Sequence, residues 1–315
     1  MLGLRAKKTE LNHLTAIVAD TTGVALACVQ RAPGRLPAVI NWDYVPIERP
    51  ADANKILKRL AKSHKLGRTR CTTVLAPPVY RILLTDAPNV PKNELPQALR
   101  WVIKDMISTP VQDISLQVFD FPESSNEKEK QIYVVAAQQH DVAACINNLR
   151  DNAVNLEIVD IMEMAQRNLA ELLPENTRGT ALVTFSDDTC VITLSKNGTL
   201  YVTRRTEIDL ALWRAQPDAI YERIALEIQR SLDYFNRHFR QGQIEHVYIT
   251  PSTLDLFGLI QYLGKFFPTP PRLLNLLEII SWTKPPPSAL HAPLALVVGA
   301  ALRNITTENA HAPAN

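Results

Sequence analysis

Glycine is scarce in this chain, with 10 glycines among 315 residues, less than half the average share of about 7%. These glycines are scattered, and no two of them lie closer than six positions apart. The dinucleotide pattern G-x-G-x-x-G and the P-loop pattern G-x-x-x-x-G-K-[ST] both require closer pairs. The sequence therefore excludes a recognisable Rossmann dinucleotide site and a recognisable P-loop.

Cysteine pairs and long apolar runs are also missing. Cys28, Cys71, Cys145 and Cys190 are 43, 74 and 45 positions apart, so no C-x-x-C metal or redox motif exists, and we expect four buried, reduced thiols. The basic N-terminus is not followed by the apolar core of a secretory signal. Four prolines interrupt the longest uncharged stretch, 285–302. We therefore expect a cytosolic protein, or one that a partner holds at a membrane.

Charge of either sign is nearly balanced, with a net charge of +2, which argues against a surface that coats nucleic acid. The hydrophobic share of 46% is typical of a folded soluble protein. One basic segment stands out, and it comprises Lys55, Lys58, Arg59, Lys62, Lys65, Arg68 and Arg70. It is either a solvated outer face or a surface for anionic lipid, to which the N-terminal Arg5, Lys7 and Lys8 could contribute.

The same order of predicted elements occurs twice. In each half, three β-rich runs with short polar turns predict an antiparallel meander, which a helix and a strand follow. A helix, a strand and a helix then complete each half. The first half has strands 13–20, 23–30, 38–47, 71–76 and 156–161 and helices 51–67, 141–153 and 162–173. The second half has strands 180–186, 190–195, 199–208, 246–250 and one within 271–277, and helices 217–239, 253–267 and 293–304.

An additional block, about 79–138, interrupts the first copy. It predicts strands 79–86, 114–121 and 131–138, a helix 92–108 and a polar hairpin loop at 122–130. The predicted organisation is therefore an α/β chain of two βββαβαβα halves with an inserted α+β subdomain. We expect a first lobe over 1–175, a second lobe over 176–303 and a disordered tail over 304–315.

This duplicated arrangement resembles the superfamily of actin, sugar kinases and Hsp70, whose RNase H-like halves hold nucleotide between them. Six stretches make the resemblance more specific than the superfamily. They lie at 99–107, 133–142, 158–169, 197–205, 227–235 and 297–303. Together they resemble the PilM family of type IV pilus assembly proteins, and within it the branch that serves mannose-sensitive haemagglutinin (MSHA) pili. EIQRSLDYF after NGTLYVTRR is the most specific pair, and the resemblance covers nearly the whole chain.

The resemblance implies a cytoplasmic actin-like protein, peripheral to the inner membrane, that binds the cytoplasmic N-terminus of a PilN-like membrane protein and supports other components of the pilus platform. In such proteins the first lobe and its insertion bind the partner peptide. This lobe corresponds to residues 1–175 here. Leu95, Leu99 and Val102 are candidates for a peptide groove, although their helical spacing is more typical of ordinary core positions.

The resemblance also implies three loops around a nucleotide, and all three depart from the family pattern. In the first turn, Asp20 and Thr21 are followed by Thr22 where the family has glycine, and Gly23 comes one position late. An Asp-Thr-Thr-Gly sequence between strands is also ordinary hairpin chemistry. This turn is therefore either part of a nucleotide site or an ordinary hairpin turn.

In the second half, Thr184 and Ser186 stand at the acidic and glycine positions, while Asp187 and Asp188 lie at the turn tip. Two carboxylates there would repel a phosphate unless Mg²⁺ bridged them.

The adenosine loop, Thr250-Pro251-Ser252, has no glycine, and Pro251 removes a backbone donor.

These departures favour a non-catalytic adaptor with no required cofactor and a lost or weakened nucleotide site. The alternative is an active switch of the same fold that binds ATP and Mg²⁺, with Asp20 and either Asp187 or Asp188 as its acidic groups. A third hypothesis is the actin-like domain of a type II secretion platform, which the missing transmembrane helix disfavours. The sequence indicates no metal site and no catalytic residue.

Overall fold

A computed structural model describes residues 12–91, 93–122, 130–186 and 188–304 of the chain. Several predictions lie outside these residues: the basic N-terminal side chains Arg5, Lys7 and Lys8, most of the loop at 122–130, Asp187, and the tail after Asn304.

The first half opens with the predicted antiparallel meander, whose strands are β1 (Asn12–Ala19), β2 (Gly23–Arg31) and β3 (Ala38–Pro46). Helix α1 (Ala53–Ser63) follows, shorter than predicted because a 3₁₀ turn occupies Leu66–Arg68. Its leucines face the sheet at helical spacing and are buried. Strand β4 (Cys71–Leu75) then pairs parallel to β1.

The insertion forms its own three-stranded antiparallel sheet. It consists of β5 (Tyr80–Asp86), α2 (Leu95–Val102), β6 (Ile114–Asp120) and β7 (Gln131–Gln138), in the strand order β5-β7-β6. One face of this sheet packs on α2, and the other contributes Phe121 and Tyr133 to the core of the second half. The Tyr133 hydroxyl donates to the carbonyl of Tyr201 at 3.0 Å. The insertion therefore bridges the two halves.

The first half closes with three elements after the insertion: α3 (Gln139–Asp151), β8 (Leu156–Ile161) and α4 (Met162–Ala170). Strand β8 pairs parallel to β4. The five strands of this half therefore follow the order β3-β2-β1-β4-β8.

The second half repeats this plan with β9 (Thr180–Ser186), β10 (Thr189–Lys196), β11 (Thr199–Glu207) and β12 (His246–Ile249). Helix α6 (Pro217–Phe239) has the predicted bounds. A short helix before it, α5 (Leu210–Ala215), is capped by Asp209 and was not predicted. With β13 (Arg272–Leu273), the sheet order is β11-β10-β9-β12-β13, the same relative order as in the first half.

The last segment is less regular than predicted. Its elements are α7 (Phe257–Leu263), β13 (Arg272–Leu273), α8 (Leu276–Ile279), β14 (Ser281–Trp282) and α9 (His291–Ala301). Helix α7 is half the predicted length, and α8 and β14 were not predicted. Prolines at 268, 270, 271 and 285–287 explain the short elements, since proline removes backbone donors.

The two halves exchange their final helices. Helix α9 packs on β1, β2 and β4 of the first sheet, and α4 packs on β9 and β10 of the second. Strand β14 likewise joins the first sheet, parallel to β3. Elements on each side of the sequence division at residues 175 and 176 therefore pack on the sheet of the other half. The predicted lobe bounds remain a prediction.

One large apolar cluster lies where α4 and α9 meet the sheets. All four cysteines are free; Cys28, Cys71 and Cys190 are buried, whereas Cys145 is half-buried, contrary to the prediction of four buried thiols. Burial raises the pKa of Cys71 to about 11. No helix in the described ranges is long and apolar enough to cross a bilayer.

Candidate functional site

The first predicted phosphate turn is closed by its own aspartate. The Asp20 carboxylate oxygen Oδ1 accepts hydrogen bonds from the Thr22 backbone NH at 2.7 Å, the Thr22 hydroxyl at 2.7 Å and the Gly23 backbone NH at 2.9 Å. The Asp20 backbone NH donates to the Gly23 carbonyl at 3.0 Å. The backbone NH groups of Thr22 and Gly23 therefore already donate to the Asp20 side chain, as in an Asx turn.

Tyr44 fills the space beside Gly23. A Cβ atom at position 23 would lie 2.4 Å from the Tyr44 ring, so glycine is needed there to admit the tyrosine. The Tyr44 hydroxyl donates to the Thr22 carbonyl at 3.1 Å, and the Ile47 backbone NH donates to the same carbonyl at 2.9 Å. Gly23 thus serves packing of the neighbouring strand in this structure.

The second predicted turn joins β9 to β10 through two residues, because Ser186 pairs with Thr189 across it. Asp188 is exposed; its carboxylate accepts from the Thr189 hydroxyl at 3.2 Å, and its carbonyl accepts from the Ile208 backbone NH at 2.5 Å. This turn is therefore anchored to the end of β11.

The third predicted loop contacts the end of β9 through Thr250, whose backbone NH donates to the Val183 carbonyl at 2.9 Å. Thr250 is buried, and its hydroxyl lies 3.1 Å from the Thr184 hydroxyl, which stands at the expected acidic position. The Ser252 hydroxyl accepts from the Leu254 backbone NH at 3.2 Å, within its own loop. The structure therefore brings Thr184 and Thr250 together, with hydroxyls where the family has an acidic side chain.

Two cavities of about 390 Å³ and 270 Å³ lie elsewhere on the surface. The larger lies beside β14 and Leu36, and the smaller between Arg178, Lys196 and His246. None of the predicted nucleotide residues lines either cavity. In the described parts of the chain, no cluster of three or more histidine, cysteine or acidic side chains could hold a metal ion.

A charged cluster that was not predicted lies between the halves. Glu163 on α4 is fully buried, and its oxygen Oε1 accepts from the Arg205 Nε of β11 at 2.8 Å. Its oxygen Oε2 accepts from the Tyr80 hydroxyl of β5 at 2.5 Å. Arg205 also donates to the Tyr80 carbonyl at 2.8 Å and lies over the Tyr80 ring at 4.1 Å. We call Tyr80, Glu163 and Arg205 the junction cluster.

The junction cluster joins three units: the insertion, the last helix of the first half and a strand of the second half. Burial and the neighbouring Glu163 carboxylate raise the pKa of Tyr80 well above its ordinary value, so its hydroxyl stays a donor. Because both Glu163 carboxylate oxygens and the Tyr80 hydroxyl have hydrogen-bond partners, the cluster has the chemistry of a structural tie.

The sequence contains only weak indications of the junction cluster. Glu163 is a polar residue among the buried positions of α4, and Arg204 and Arg205 are adjacent on a strand, so one of them must face inward.

The end of α9 is tied to the first sheet by a second polar group. Arg303 lies 2.8 Å from the buried Asp160 carboxylate of β8, and Arg31 of β2 donates to the Leu302 carbonyl. Asn168 of α4 donates to the Gly299 carbonyl at 2.9 Å. These bonds hold the exchanged helices in place.

The insertion helix presents an apolar surface. Leu99 is fully buried in the insertion core and Leu95 is half-buried, so these two groove candidates are core residues here. Val102 is 43% exposed, and its neighbours Trp101 and Met106 are 68% and 42% exposed. Sequence reasoning missed Trp101, although the inward spacing of Leu99 and Ile103 places position 101 outward.

Comparison with known proteins supports the fold rather than a family assignment. No family model and no curated protein matches the chain. Among solved structures, a chain of the PilM-PilN type IV pilus biogenesis complex is 19% identical with a TM-score of 0.69, over 92% of this chain and 97% of that one.

A protein of unknown function from Bacteroides thetaiotaomicron, with an actin-like ATPase fold, is 10% identical with a TM-score of 0.50. That match covers 94% of this chain and 98% of the other. The cytoplasmic domain of EpsL from the Vibrio cholerae type II secretion system is 11% identical with a TM-score of 0.48, over 90% and 94% of the two chains.

The repeated strand order and the similarity to solved structures agree with the predicted duplication. The chain therefore has an actin-like α/β fold, with two RNase H-like halves and an α+β insertion in the first.

Proposed function

We propose that this protein is an actin-like adaptor of a type IV pilus assembly platform at the inner membrane, that it serves MSHA-type pili, and that it is most similar to the MshI proteins. In this role it lies in the cytoplasm and binds the cytoplasmic N-terminus of a PilN-like membrane protein. Other platform components would assemble on the same scaffold.

The observation that carries the proposal is the similarity to a chain of the PilM-PilN complex. It extends over 92% of this chain at a TM-score of 0.69, which includes both halves and the insertion. At 19% identity this likeness establishes the fold, and the partner is inferred from it together with the resemblance in the sequence.

The exposed surface of α2 supports a peptide partner. Trp101, Val102 and Met106 are solvent-exposed on a subdomain whose own core is already filled by Leu99 and Ile103. An exposed tryptophan with exposed apolar neighbours in the chain is typical of residues that dominate binding energy at interfaces.

The test is calorimetry of the full chain with a synthetic peptide of the cytoplasmic N-terminus of the PilN-like protein from the same organism. We expect saturable binding that Trp101→Ala weakens at least about tenfold. The matched control is Phe257→Ala, since Phe257 is 69% exposed on α7 of the second half. Absence of binding by the unmodified protein would contradict the proposed partner.

The nucleotide site is proposed to be degenerate. The two NH groups of the first turn already donate to Asp20, Tyr44 occupies the space at Gly23, and Thr184 replaces an acidic side chain. A phosphate could accept hydrogen bonds from the NH groups of the first turn only if those groups released Asp20. The residues present therefore do not fit Mg-ATP as the family pattern does.

Calorimetric titration with Mg-ATP, together with a thermal melt at millimolar nucleotide, separates the adaptor from the ATP switch. We expect no heat and no shift of the melting temperature. A functional site at about 1,000-fold excess over Kd would add about 4 kcal/mol to the free energy of unfolding. Binding that disappears in Asp20→Asn, a variant that keeps the turn's acceptor oxygen, would favour the nucleotide switch.

A further inference from the structure

Helix α1 and the turn after it carry charge of one sign only. Residues 53–70 contain seven lysines and arginines and no aspartate or glutamate. Since the whole chain has a net charge of +2, the remaining residues together carry −5. The basic charge of this protein is therefore concentrated in one short segment.

The structure places these cations on the outside of the first half. Leu57, Leu60 and Ala61 face the sheet and are buried, so the apolar side of α1 is already used by the core. The opposite side is what we call the basic face. Its exposed members are Lys55, Lys58, Arg59, Lys62, Lys65 and Arg68.

The described acidic side chains near the basic face offset its charge only in part, as Asp52 does by attracting Lys55. Arg70 pairs with Glu157 at 2.7 Å, and Asp52 at the start of the helix pairs with Arg49 at 2.9 Å. None of the six exposed cations forms an ion pair within the described ranges. On the adjacent α3, the exposed Arg150 and Asp151 offset each other.

Helix stability does not explain this arrangement. Lys55 lies in the first turn of α1, where the helix dipole favours negative charge, and only Lys62 lies in the last turn, where it favours positive charge. Lys55 with Arg59 and Lys58 with Lys62 are spaced by four residues, so these pairs of like charge repel each other. The basic face thus costs the isolated fold some stability, which an anionic ligand would offset.

We propose that the basic face of α1 binds directly to anionic phospholipid headgroups. The charges are spread along a convex helix rather than converging on a pocket, which suits a layer of many phosphates. Each basic residue near such a surface contributes about a fivefold gain in binding. No large apolar side chain is exposed between residues 53 and 70, so the contact is electrostatic and does not insert into the bilayer.

Nucleic acid fits this face less well. Residues 53–70 contain no tryptophan, tyrosine or phenylalanine on which a base could stack, and the arginines are outnumbered by lysines. This binding goes beyond the adaptor proposal, in which the protein reaches the membrane only through a partner.

The test is co-sedimentation of the full chain, without any partner, with vesicles of phosphatidylcholine alone or with about 30% phosphatidylglycerol. We expect binding to the anionic vesicles only, with loss at high salt. The triple variant Lys55→Glu, Lys58→Glu, Lys62→Glu should bind at least about 100-fold more weakly. Short duplex DNA at the same salt is the competing ligand.

The matched control is Arg214→Glu, Arg223→Glu, Arg237→Glu, which changes net charge equally at exposed positions of α5 and α6. Equal losses in both triple variants, or equal binding to neutral vesicles, would overturn the proposal. Tighter binding to DNA than to vesicles would also overturn the proposal and would identify nucleic acid as the ligand of the basic face.

Circular dichroism checks that each variant is folded, and the lysine-to-glutamine triple replaces the glutamate triple if it is not. Peptide binding measured on the same variants should be unchanged, so that failure of the lipid proposal and failure of the adaptor proposal are distinguishable.

Discussion

Two carboxylates, Asp20 in the first predicted phosphate turn and Glu163 between the halves, have opposite environments. Asp20 is exposed, and its hydrogen bonds stay within three residues of its own turn. Glu163 is fully buried, and its partners Tyr80 and Arg205 are 83 and 42 residues away in the chain. The first shapes a hairpin, whereas the second connects three units of the fold.

The difference teaches where polar chemistry matters for this protein. A buried charge is tolerated only when it is paired, so removing one partner from the junction cluster leaves an uncompensated charge. An exposed turn loses only its local hydrogen bonds, because water replaces them. Substitutions in the two regions should therefore differ strongly in their effect on stability.

The largest effect is expected from Arg205→Met. Glu163 then keeps its burial and loses its cation, which should lower the free energy of unfolding by about 3–5 kcal/mol. Urea unfolding monitored by circular dichroism gives this value. Arg204→Met, on the adjacent and more exposed position facing Glu227 at 3.8 Å, should cost no more than about 1 kcal/mol.

A double variant tests whether the buried charge is the cause. Adding Glu163→Gln to Arg205→Met removes the charge and keeps an acceptor for Tyr80, so stability should partly recover. A further loss instead of recovery would contradict the assignment of Glu163 as a buried carboxylate paired with Arg205.

The next effect concerns the Tyr80 hydroxyl and depends on pH. Tyr80→Phe removes donor and acceptor bonds to Glu163 and Met162 and should cost about 1–3 kcal/mol at neutral pH. Because the native pKa of Tyr80 is raised, the unfolded chain ionises first, near pH 10. The stabilising contribution of Tyr80 is therefore present below about pH 10 and is lost above it.

The difference between the unmodified protein and Tyr80→Phe should accordingly shrink at alkaline pH, by up to about 1.4 kcal/mol per pH unit. Urea midpoints at about pH 8 and about pH 10.5 measure it. A difference that grows with pH would mean that Tyr80 ionises more readily in the folded protein.

Gly299→Ala tests the close contact of the exchanged helices. A Cβ atom at position 299 would lie 2.5 Å from the Ala165 carbonyl oxygen, which belongs to the backbone of α4 and cannot rotate away. We expect a loss of about 1–3 kcal/mol in thermal or urea unfolding. Gly264→Ala is the control, since its nearest contact is 3.4 Å, and it should change stability by less than about 1 kcal/mol.

The smallest effect is expected at the first turn. Asp20→Ala removes an acceptor of three hydrogen bonds at an exposed site and should cost about 1 kcal/mol. Asp20→Asn keeps the acceptor oxygen and should be nearly neutral in the same unfolding measurement. If Asp20→Ala destabilised the protein as much as Arg205→Met, the contrast between the two regions would be wrong.

Much of the fold could be predicted because its elements carry local signals. The strand 180–186 and the helix 217–239 have the bounds that their alternation and helical spacing predicted. The elements α5, α8 and β14 were missed, since each has six or fewer residues and too little sequence to show a period. Strand β14 also pairs with a strand more than 230 residues earlier.

The candidate site was less predictable than the fold. The sequence identified Asp20 and Thr184 as special positions, but their partners depend on how turns meet neighbouring strands. Tyr44 beside Gly23 is an example, because nothing in either local sequence indicates the contact. Trp101 could have been found from helical spacing, whereas the pairing of Glu163 with Arg205 required both sheets to be in place.

The sequence by itself determined the alternation of strands and helices, the duplication, the insertion and the concentration of basic charge in residues 53–70. These properties follow from side-chain spacing and composition, which act over a few residues. Only the tertiary structure decided that α4 and α9 exchange places and that Glu163 is paired. Such contacts join distant segments, and they form because burial of apolar surface brings those segments together and because a polar group buried with them must be paired.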